Sequence, residues 1–138
     1  MNEEVSRIMT ERFGRDSVIA LATTEAGIPS VRYVNAYYEN GAFFIITYAL
    51  SNKIRHIEHD PCVALAGEWF TAHGNAVNLG FIGKAENRPL AERLKACFKE
   101  WLGNGHVDLN DEKTVILSIR LTDGVLFSRG TRYEIDFS

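Results

Sequence analysis

Residues 42–61 read AFFIITYALSNKIRHIEHDP, and this stretch decides the fold. The apolar run AFFIITY predicts a buried strand, and SNKIRHIEHD predicts a short helix that ends before the proline. Thr47, Ser51 and Lys53 therefore meet where a strand stops and a helix starts. A helix N-terminus presents unpaired N–H groups and a partial positive charge. Two hydroxyls and a cation at this point therefore predict a cradle for a dianionic phosphate.

A second cation stands in the middle of another predicted strand, PSVRYVNAYY (residues 29–38). Alternate side chains of a strand share one face, so Arg32 points to the same side as Val34. An arginine flanked by apolar residues is exposed, paired with an acid such as Glu39 or Glu68, or bound to an anion.

Each of these residues also has an ordinary structural explanation. Ser51 alone is explained by simple capping of the helix, and Lys53 and Arg55 by solvation of its surface. The convergence of Arg32, Thr47, Ser51 and Lys53 on one place favours phosphate binding over these separate explanations.

The rest of the chain alternates strand-like runs with turn residues. About seven strands and three helices are predicted, and hairpins at Asn40-Gly41 and Asp123-Gly124 argue against a doubly wound parallel sheet. The fold class is therefore mainly β (α+β), an antiparallel barrel or strongly curved sheet with peripheral helices. The predicted strands are 17–24, 29–38, 42–48, 62–70, 77–86, 114–122 and 125–137, the helices are 2–13, 51–60 and 89–102, and further turns are expected at Ala26-Gly27 and His73-Gly74.

Length and charge limit the classes of function. A chain of 138 residues predicts a single domain spanning 1–138, and its net charge of -3 argues against nucleic-acid partners. No apolar stretch approaches the length of a membrane span, and no signal peptide is recognisable, so a cytoplasmic protein is expected. Cys62 and Cys97 are expected to be reduced and buried.

Four segments carry a resemblance to a known family: LATT…AGIPSVRYV, FFIITYALSNK, IRHIEHDPCVALAGEW and FIGKAE. Over about residues 17–86 the chain resembles the pyridoxamine 5'-phosphate oxidase-like family of flavin-binding split barrels. The resemblance implies a Greek-key split barrel with about three peripheral helices, which binds FMN at a homodimer interface.

The resemblance also implies which residues contact the cofactor. Arg32, Thr47, Ser51 and Lys53 match the residues that hold the FMN phosphate, and the strand through Arg32 passes along the flavin ring. The amide-bearing residue matches Asn78 when the match is anchored on Gly83, or Asn75 when it is anchored on Pro61. Phe127 and either Arg129 or Arg132 match groups supplied by the partner subunit, although strand packing and surface charge explain them equally well. The implied set is Arg32, Tyr33, Val34, Thr47, Tyr48, Ser51, Lys53, Asn78, Phe127 and Arg129.

Three departures from the family pattern bear on activity. Asn52 replaces the usual arginine, Tyr37 replaces a lysine near the ring, and the sequence ends at Ser138 without an Arg-Leu-x-Pro motif. True pyridoxamine phosphate oxidase activity is therefore not expected. A relative of the flavin-reductase or stress-protein type fits better.

Three functions remain open. The first is an FMN-dependent oxidoreductase acting on a nicotinamide or a small organic substrate, for which no catalytic side chain is predicted. The second is a non-enzymatic binder or sensor of flavin, haem or deazaflavin. The third is a barrel that binds single-stranded nucleic acid, which the acidic net charge disfavours.

The histidines carry no predicted role. His56 and His59 lie one helical turn apart, which is a weak metal pattern, and we expect a solvated helix face instead. His73 and His106 are expected in turns. Trp69 and Trp101 are expected to be core or dimer-interface residues.

Overall fold

The computed structural model describes residues 1–105 and 107–138, so the prediction for His106 lies outside the described residues. Seven antiparallel strands form one sheet, with helices at its ends and on one side. The strands are β1 (Ser17–Glu25), β2 (Ile28–Glu39), β3 (Ala42–Tyr48), β4 (Cys62–Gly67), β5 (Phe70–Phe81), β6 (Thr114–Ser128) and β7 (Thr131–Asp136), and the helices are α1 (Glu3–Phe13), α2 (Asn52–His59), α3 (Arg88–Cys97) and α4 (Lys99–Leu102).

The sheet closes into a barrel, which confirms the predicted class. The strand order is β3-β2-β1-β4-β5-β6-β7, and β3 also pairs with β6, so six strands form a closed ring and β7 extends it. Strands β1, β2 and β3 are joined by hairpins, and β4 returns beside β1 after α2. This spatial order, β4-β1-β2-β3, is a Greek key.

Two of the four predicted turns are correct. Ala26-Gly27 and Asn40-Gly41 connect hairpins, and Asn40 and Gly41 have φ of 47° and 82°, as a tight hairpin turn requires. The predicted turn at Asp123-Gly124 is wrong, because β6 runs through it and the chain reverses at Arg129-Gly130.

The turn predicted at His73-Gly74 is also wrong. This pair is a bulge inside β5, and the chain reverses earlier, at residues 68–69. Both misleading glycines serve close packing: a Cβ on Gly74 would lie 2.8 Å from the Arg120 carbonyl oxygen, and one on Gly124 would lie 3.0 Å from the Phe70 ring.

Two other boundaries differ from prediction. The strand expected over residues 77–86 ends at Phe81, so Gly83 lies beyond the strand. The helix expected over residues 89–102 is divided at Phe98 into α3 and α4.

Two apolar clusters hold the fold together. The first fills the barrel, where Phe13 of α1 meets Phe43 and Phe70 at ring separations of 5.6 and 5.5 Å. The second lies outside β3 and β6, where Leu94 of α3 and Phe98, between α3 and α4, pack against the sheet. Both faces of β3 are therefore buried, which explains its uninterrupted apolar sequence.

The cysteines fit the prediction only in part. Both are free, but Cys62 is exposed and Cys97 is half-buried. Burial raises the pKa of the Cys97 thiol to about 11. Over the part of the chain that the structure describes, no helix has the length and hydropathy needed to cross a membrane.

Candidate functional site

The end of β3 and the start of α2 bring together two of the predicted phosphate ligands. Lys53 Nζ donates a hydrogen bond to Thr47 Oγ1 at 2.7 Å. Thr47 is buried because its side chain shares the inner face of β3 with Phe43 and Ile45. The local spacing of the sequence therefore produces the predicted contact.

Arg32 reaches the same region from β2. Its Nη1 donates to Thr23 Oγ1 at 2.7 Å, to the Leu21 carbonyl oxygen at 3.1 Å and to the Ser30 carbonyl oxygen at 3.3 Å. These contacts hold one end of the guanidinium, and no bond from its Nη2 or Nε is found to any described residue. The other donors of the guanidinium are therefore available to a ligand.

The two cations lie close enough to affect each other. Burial, and after it the charge of Arg32, lower the pKa of Lys53. Burial also lowers the pKa of Arg32. Among residues 1–105 and 107–138, neither side chain forms an ion pair, and Glu39, one acid proposed for Arg32, pairs with Arg93 instead. Two partly buried cations without a carboxylate partner are an arrangement that an anion would stabilise.

Ser51 precedes Lys53 by two residues and is not explained by capping. It occupies the N-cap of α2, but its side chain makes no capping hydrogen bond. Its Oγ atom is buried without a hydrogen-bond partner among the described residues. A buried hydroxyl without a partner is costly, and a bound anion would satisfy it. We call Arg32, Thr47, Ser51 and Lys53 the cationic cradle.

A cavity of about 400 Å³ opens beside the cradle. Thr47 and Lys53 line it, together with three predicted flavin contacts, Tyr33, Val34 and Tyr48. Arg32 and Ser51 are not among its lining residues. The opposite wall comes from the segment after α3, and the residues that line it there are Trp101, Val107, Asp108 and Asp111.

The predicted amide contacts lie outside this cavity. Asn78 Oδ1 accepts a hydrogen bond from the Gly80 N–H at 2.8 Å and stabilises a local turn at the end of β5. Asn75 lies in β5 opposite Cys62. Neither lines the cavity, and the Gly83 anchor behind Asn78 lies outside the strand.

The residues predicted to act from the partner subunit lie around a different opening. Phe127 and Arg129 line it with Trp69, and the rings of Trp69 and Phe127 meet edge to face at 6.4 Å. We call Trp69, Phe127 and Arg129 the aromatic rim. Arg132 instead pairs with Glu134 at 2.7 Å. The rim shares no lining residue with the cavity beside the cradle.

The sequence did not predict the contacts that Thr23, Glu25 and His56 make next to Arg32. His56 was expected on a solvated helix face but is 5% exposed, and its Nδ1 lies 2.8 Å from Thr23 Oγ1. Its Nε2 lies 3.6 Å from Glu25 Oε1. The position of His56 between the buried Ile54 and Ile57 was the available indication that this side of the helix faces inward.

His59, the other histidine of α2, is exposed and bonds the Arg55 carbonyl oxygen at 3.0 Å. Within the described ranges, no group of three histidine, cysteine, aspartate or glutamate side chains is placed to hold a metal ion. The two histidines of α2 therefore serve different structural roles.

The closed antiparallel barrel, with the two cations Arg32 and Lys53 at one end, defines a split-barrel protein. The chain belongs to the pyridoxamine 5'-phosphate oxidase family, whose model matches residues 7–123. Among curated proteins, no sequence match is found.

Solved structures share the whole fold at low sequence identity. General Stress Protein 26 from Bacillus anthracis str. Sterne has a TM-score of 0.73 and 16% identity, covering 96% of this chain and 99% of that one. A FAD-binding protein from Mesorhizobium loti has a TM-score of 0.69 and 13% identity, covering 86% and 91%. The haem storage protein from Vibrio cholerae has a TM-score of 0.69 and 15% identity, covering 93% and 96%. Identities this low show a common fold alone.

Proposed function

We propose that this protein binds FMN and acts as an FMN-dependent oxidoreductase. The observation that carries the proposal is the cationic cradle. Arg32 and Lys53 have no acid partner in the described structure, and Ser51 Oγ is buried without a hydrogen bond. The FMN phosphate is a dianion with three acceptor oxygens, so it would satisfy both charges and the hydroxyl together.

We propose that the flavin ring binds in the cavity beside the cradle. Tyr33, Val34 and Tyr48 border it and offer apolar and aromatic surface next to the phosphate site. Asn78 is not retained as a ring contact, because its side-chain oxygen is already bonded to Gly80. When bound, FMN supplies hydride transfer at N5, while the protein anchors the phosphate and excludes water from the ring.

The substrate is proposed to be a nicotinamide or another small organic molecule. Trp101, Asp108 and Asp111 line the same cavity as the proposed ring site, and the substrate is proposed to bind beside them. Oxidation of pyridoxamine phosphate is not proposed, because Asn52 and Tyr37 replace the basic residues of the family pattern.

We also propose that the active species is a homodimer. Phe127 and Arg129 line a different opening from the cradle, so within one chain they do not border the proposed flavin site. A second copy of the chain would supply them. On the outer face of the sheet, Val31 is 70% exposed and Tyr33 is 81% exposed.

The exposed pair on β2 continues into a stretch of small residues. In the register of the sheet, Ala22 lies opposite Val31 and Ala64, and Ala20 lies opposite Tyr33 and Ala66. We call Val31, Ala20, Ala22, Ala64 and Ala66 the apolar face. An exposed, contiguous apolar area of this kind supports a subunit interface.

The test is the double variant Arg32→Ala/Lys53→Ala. We expect the wild-type protein to bind FMN with quenching of flavin fluorescence, and we expect the variant to lose binding by at least about a hundredfold. Arg7→Ala/Lys95→Ala is the matched control. It removes an arginine and a lysine that are exposed and already have acid partners, and it should bind FMN normally. Unchanged FMN binding in a folded Arg32→Ala/Lys53→Ala variant would defeat the proposal.

A second candidate function is non-enzymatic binding of haem, which the likeness to a haem storage protein supports. The absorption spectrum of the protein mixed with each ligand separates the candidates. Flavin bands retained after gel filtration, followed by NADH or NADPH oxidation, support the oxidoreductase. A retained Soret band with no flavin retention supports the haem binder.

A further inference from the structure

A series of side-chain contacts connects Arg32 with residues of β1 and α2 that do not line the cavity. Thr23, on β1, is completely buried and touches both Arg32 and His56 of α2. His56 in turn faces Glu25, which is held by two hydrogen bonds from Arg55 at 2.9 and 3.1 Å. This series of contacts therefore connects the buried hydroxyl of Thr23 with a salt bridge at the surface.

The direction of the hydrogen bond between Arg32 and Thr23 follows from the chemistry of the two groups. A guanidinium only donates, so Thr23 Oγ1 accepts from Arg32. Thr23 Oγ1 also lies 2.8 Å from His56 Nδ1, so its hydroxyl bonds both the guanidinium and the imidazole. The other ring nitrogen of His56, Nε2, lies 3.6 Å from Glu25 Oε1 and 3.5 Å from Arg55 Nη2.

From this arrangement we propose that Thr23 and His56 are positioning residues that hold Arg32 in the orientation required to bind a phosphate. This inference rests on the proposed function. Thr23 has no exposed surface, so it acts on the ligand only through Arg32. All bonds found for the guanidinium among described residues involve Nη1, which leaves the N–H groups of Nη2 and Nε as donors for a ligand.

The series of contacts makes a specific prediction about ligand selection. Arginine loses side-chain freedom when it binds, and a guanidinium that is already fixed loses less. Loss of Thr23 or His56 should therefore weaken the affinity for FMN and leave the affinity for riboflavin, which lacks the phosphate, unchanged. A residue needed only for folding would affect both flavins alike.

The experiment compares two disruptive variants with two conservative ones. Thr23→Val and His56→Phe keep the shape but remove the hydrogen bond, whereas Thr23→Ser keeps the hydroxyl and His56→Asn keeps a hydrogen-bonding group near the position of Nδ1. Dissociation constants for FMN and riboflavin are measured by fluorescence quenching. Melting temperatures are measured without flavin.

We expect Thr23→Val and His56→Phe to weaken FMN binding about tenfold, with riboflavin binding unchanged and with wild-type affinity in Thr23→Ser and His56→Asn. In an Arg32→Ala background, Thr23→Val should have no further effect on FMN, because the group that it positions is gone. Equal losses for both flavins, or no loss for FMN, would overturn the inference.

The outcomes also separate this inference from the proposed function. If the wild-type protein binds FMN no more tightly than riboflavin, the proposed function and this inference fail together. If Arg32→Ala weakens FMN binding while Thr23→Val does not, the proposed function stands and only the positioning role fails.

Discussion

The two ends of the barrel differ in how their charges and aromatic groups are satisfied. At the cradle end, Arg32 and Lys53 are partly buried, and neither has an acid partner in the described structure. At the rim end, Arg132 is paired with Glu134, but Trp69 is 69% exposed. One end therefore has two cations without an acid partner in the described structure, and the other has an aromatic side chain that is largely exposed to solvent.

Under the proposed function, neither end is complete in a single chain. A bound phosphate would complete the cradle, and a second subunit would cover the rim. If the rim of one subunit meets the flavin held by the cradle of another, one assembly satisfies both ends. Four predictions test this relation between the two ends.

The largest effect is expected from Val31→Glu. A carboxylate in the middle of the apolar face would be buried without a partner, so the proposed homodimer should dissociate and FMN binding should be lost. Light scattering after gel filtration gives the mass, and fluorescence quenching gives the affinity. Val31→Thr has a similar size without charge and should remain dimeric; a Val31→Glu dimer that still binds FMN would contradict the prediction.

A mixing experiment tests whether Phe127 acts across the interface. Arg32→Ala/Lys53→Ala lacks the cradle, Phe127→Ala lacks the rim, and each alone should bind FMN poorly. After random exchange of subunits, mixed dimers carry one complete site, so about a quarter of all sites should recover full affinity. Titration with FMN counts these sites. If no sites recover in a mixture shown by mass spectrometry to contain mixed dimers, then Phe127 does not act across the interface.

Lys53→Met should increase the stability of the flavin-free protein. Burial and the charge of Arg32 lower the pKa of Lys53 from its ordinary 10.5, so at neutral pH the folded state carries an unfavourable charge. We expect the substitution to raise the free energy of unfolding at pH 7, while weakening FMN binding.

The pH dependence of this effect has a definite sign. Between the lowered pKa and 10.5 the unfolded chain binds the lysine proton more than the folded chain does, so the contribution of Lys53 to stability rises with pH. The advantage of Lys53→Met over the wild type should therefore shrink as the pH approaches 10.5. Urea denaturation at pH 7 and pH 10 measures it, with Lys95→Met as an exposed lysine control.

The smallest effect is expected at the rim arginines. Arg129 lines the opening with Phe127, whereas Arg132 is paired with Glu134. Arg129→Ala should weaken FMN binding about threefold, and Arg132→Ala should leave it unchanged. Fluorescence titration of both variants decides between the two arginines. The reverse ranking would show that Arg132 is the arginine which acts from the partner subunit.

Short-range features of this fold were predictable from sequence. Asn40-Gly41 forms its hairpin because both residues accept positive φ, a property of the residues themselves. The Lys53–Thr47 contact follows from six residues of spacing across a strand end and a helix start. Such features depend on neighbours along the chain.

Turns were predicted wrongly at glycines that are required by contacts between strands distant in sequence. The pair Asp123-Gly124 has a composition typical of a turn. Gly124 is required instead because a side chain there would collide with the Phe70 ring, which lies on another strand. Arg129-Gly130 provides the turn instead. Local composition alone does not distinguish a glycine that bends the chain from one that lets two strands approach.

By itself, the sequence determined the mainly β class, the hairpins with positive φ and the local grouping of Thr47, Ser51 and Lys53, because these depend on periodicity and short spacing. Only the tertiary structure decided that Thr23 and His56 stand behind Arg32, and that Ser51 Oγ has no partner among the described residues. The burial and the hydrogen-bond partners of these side chains depend on contacts between β1, β2 and α2. Closure of the barrel determines those contacts.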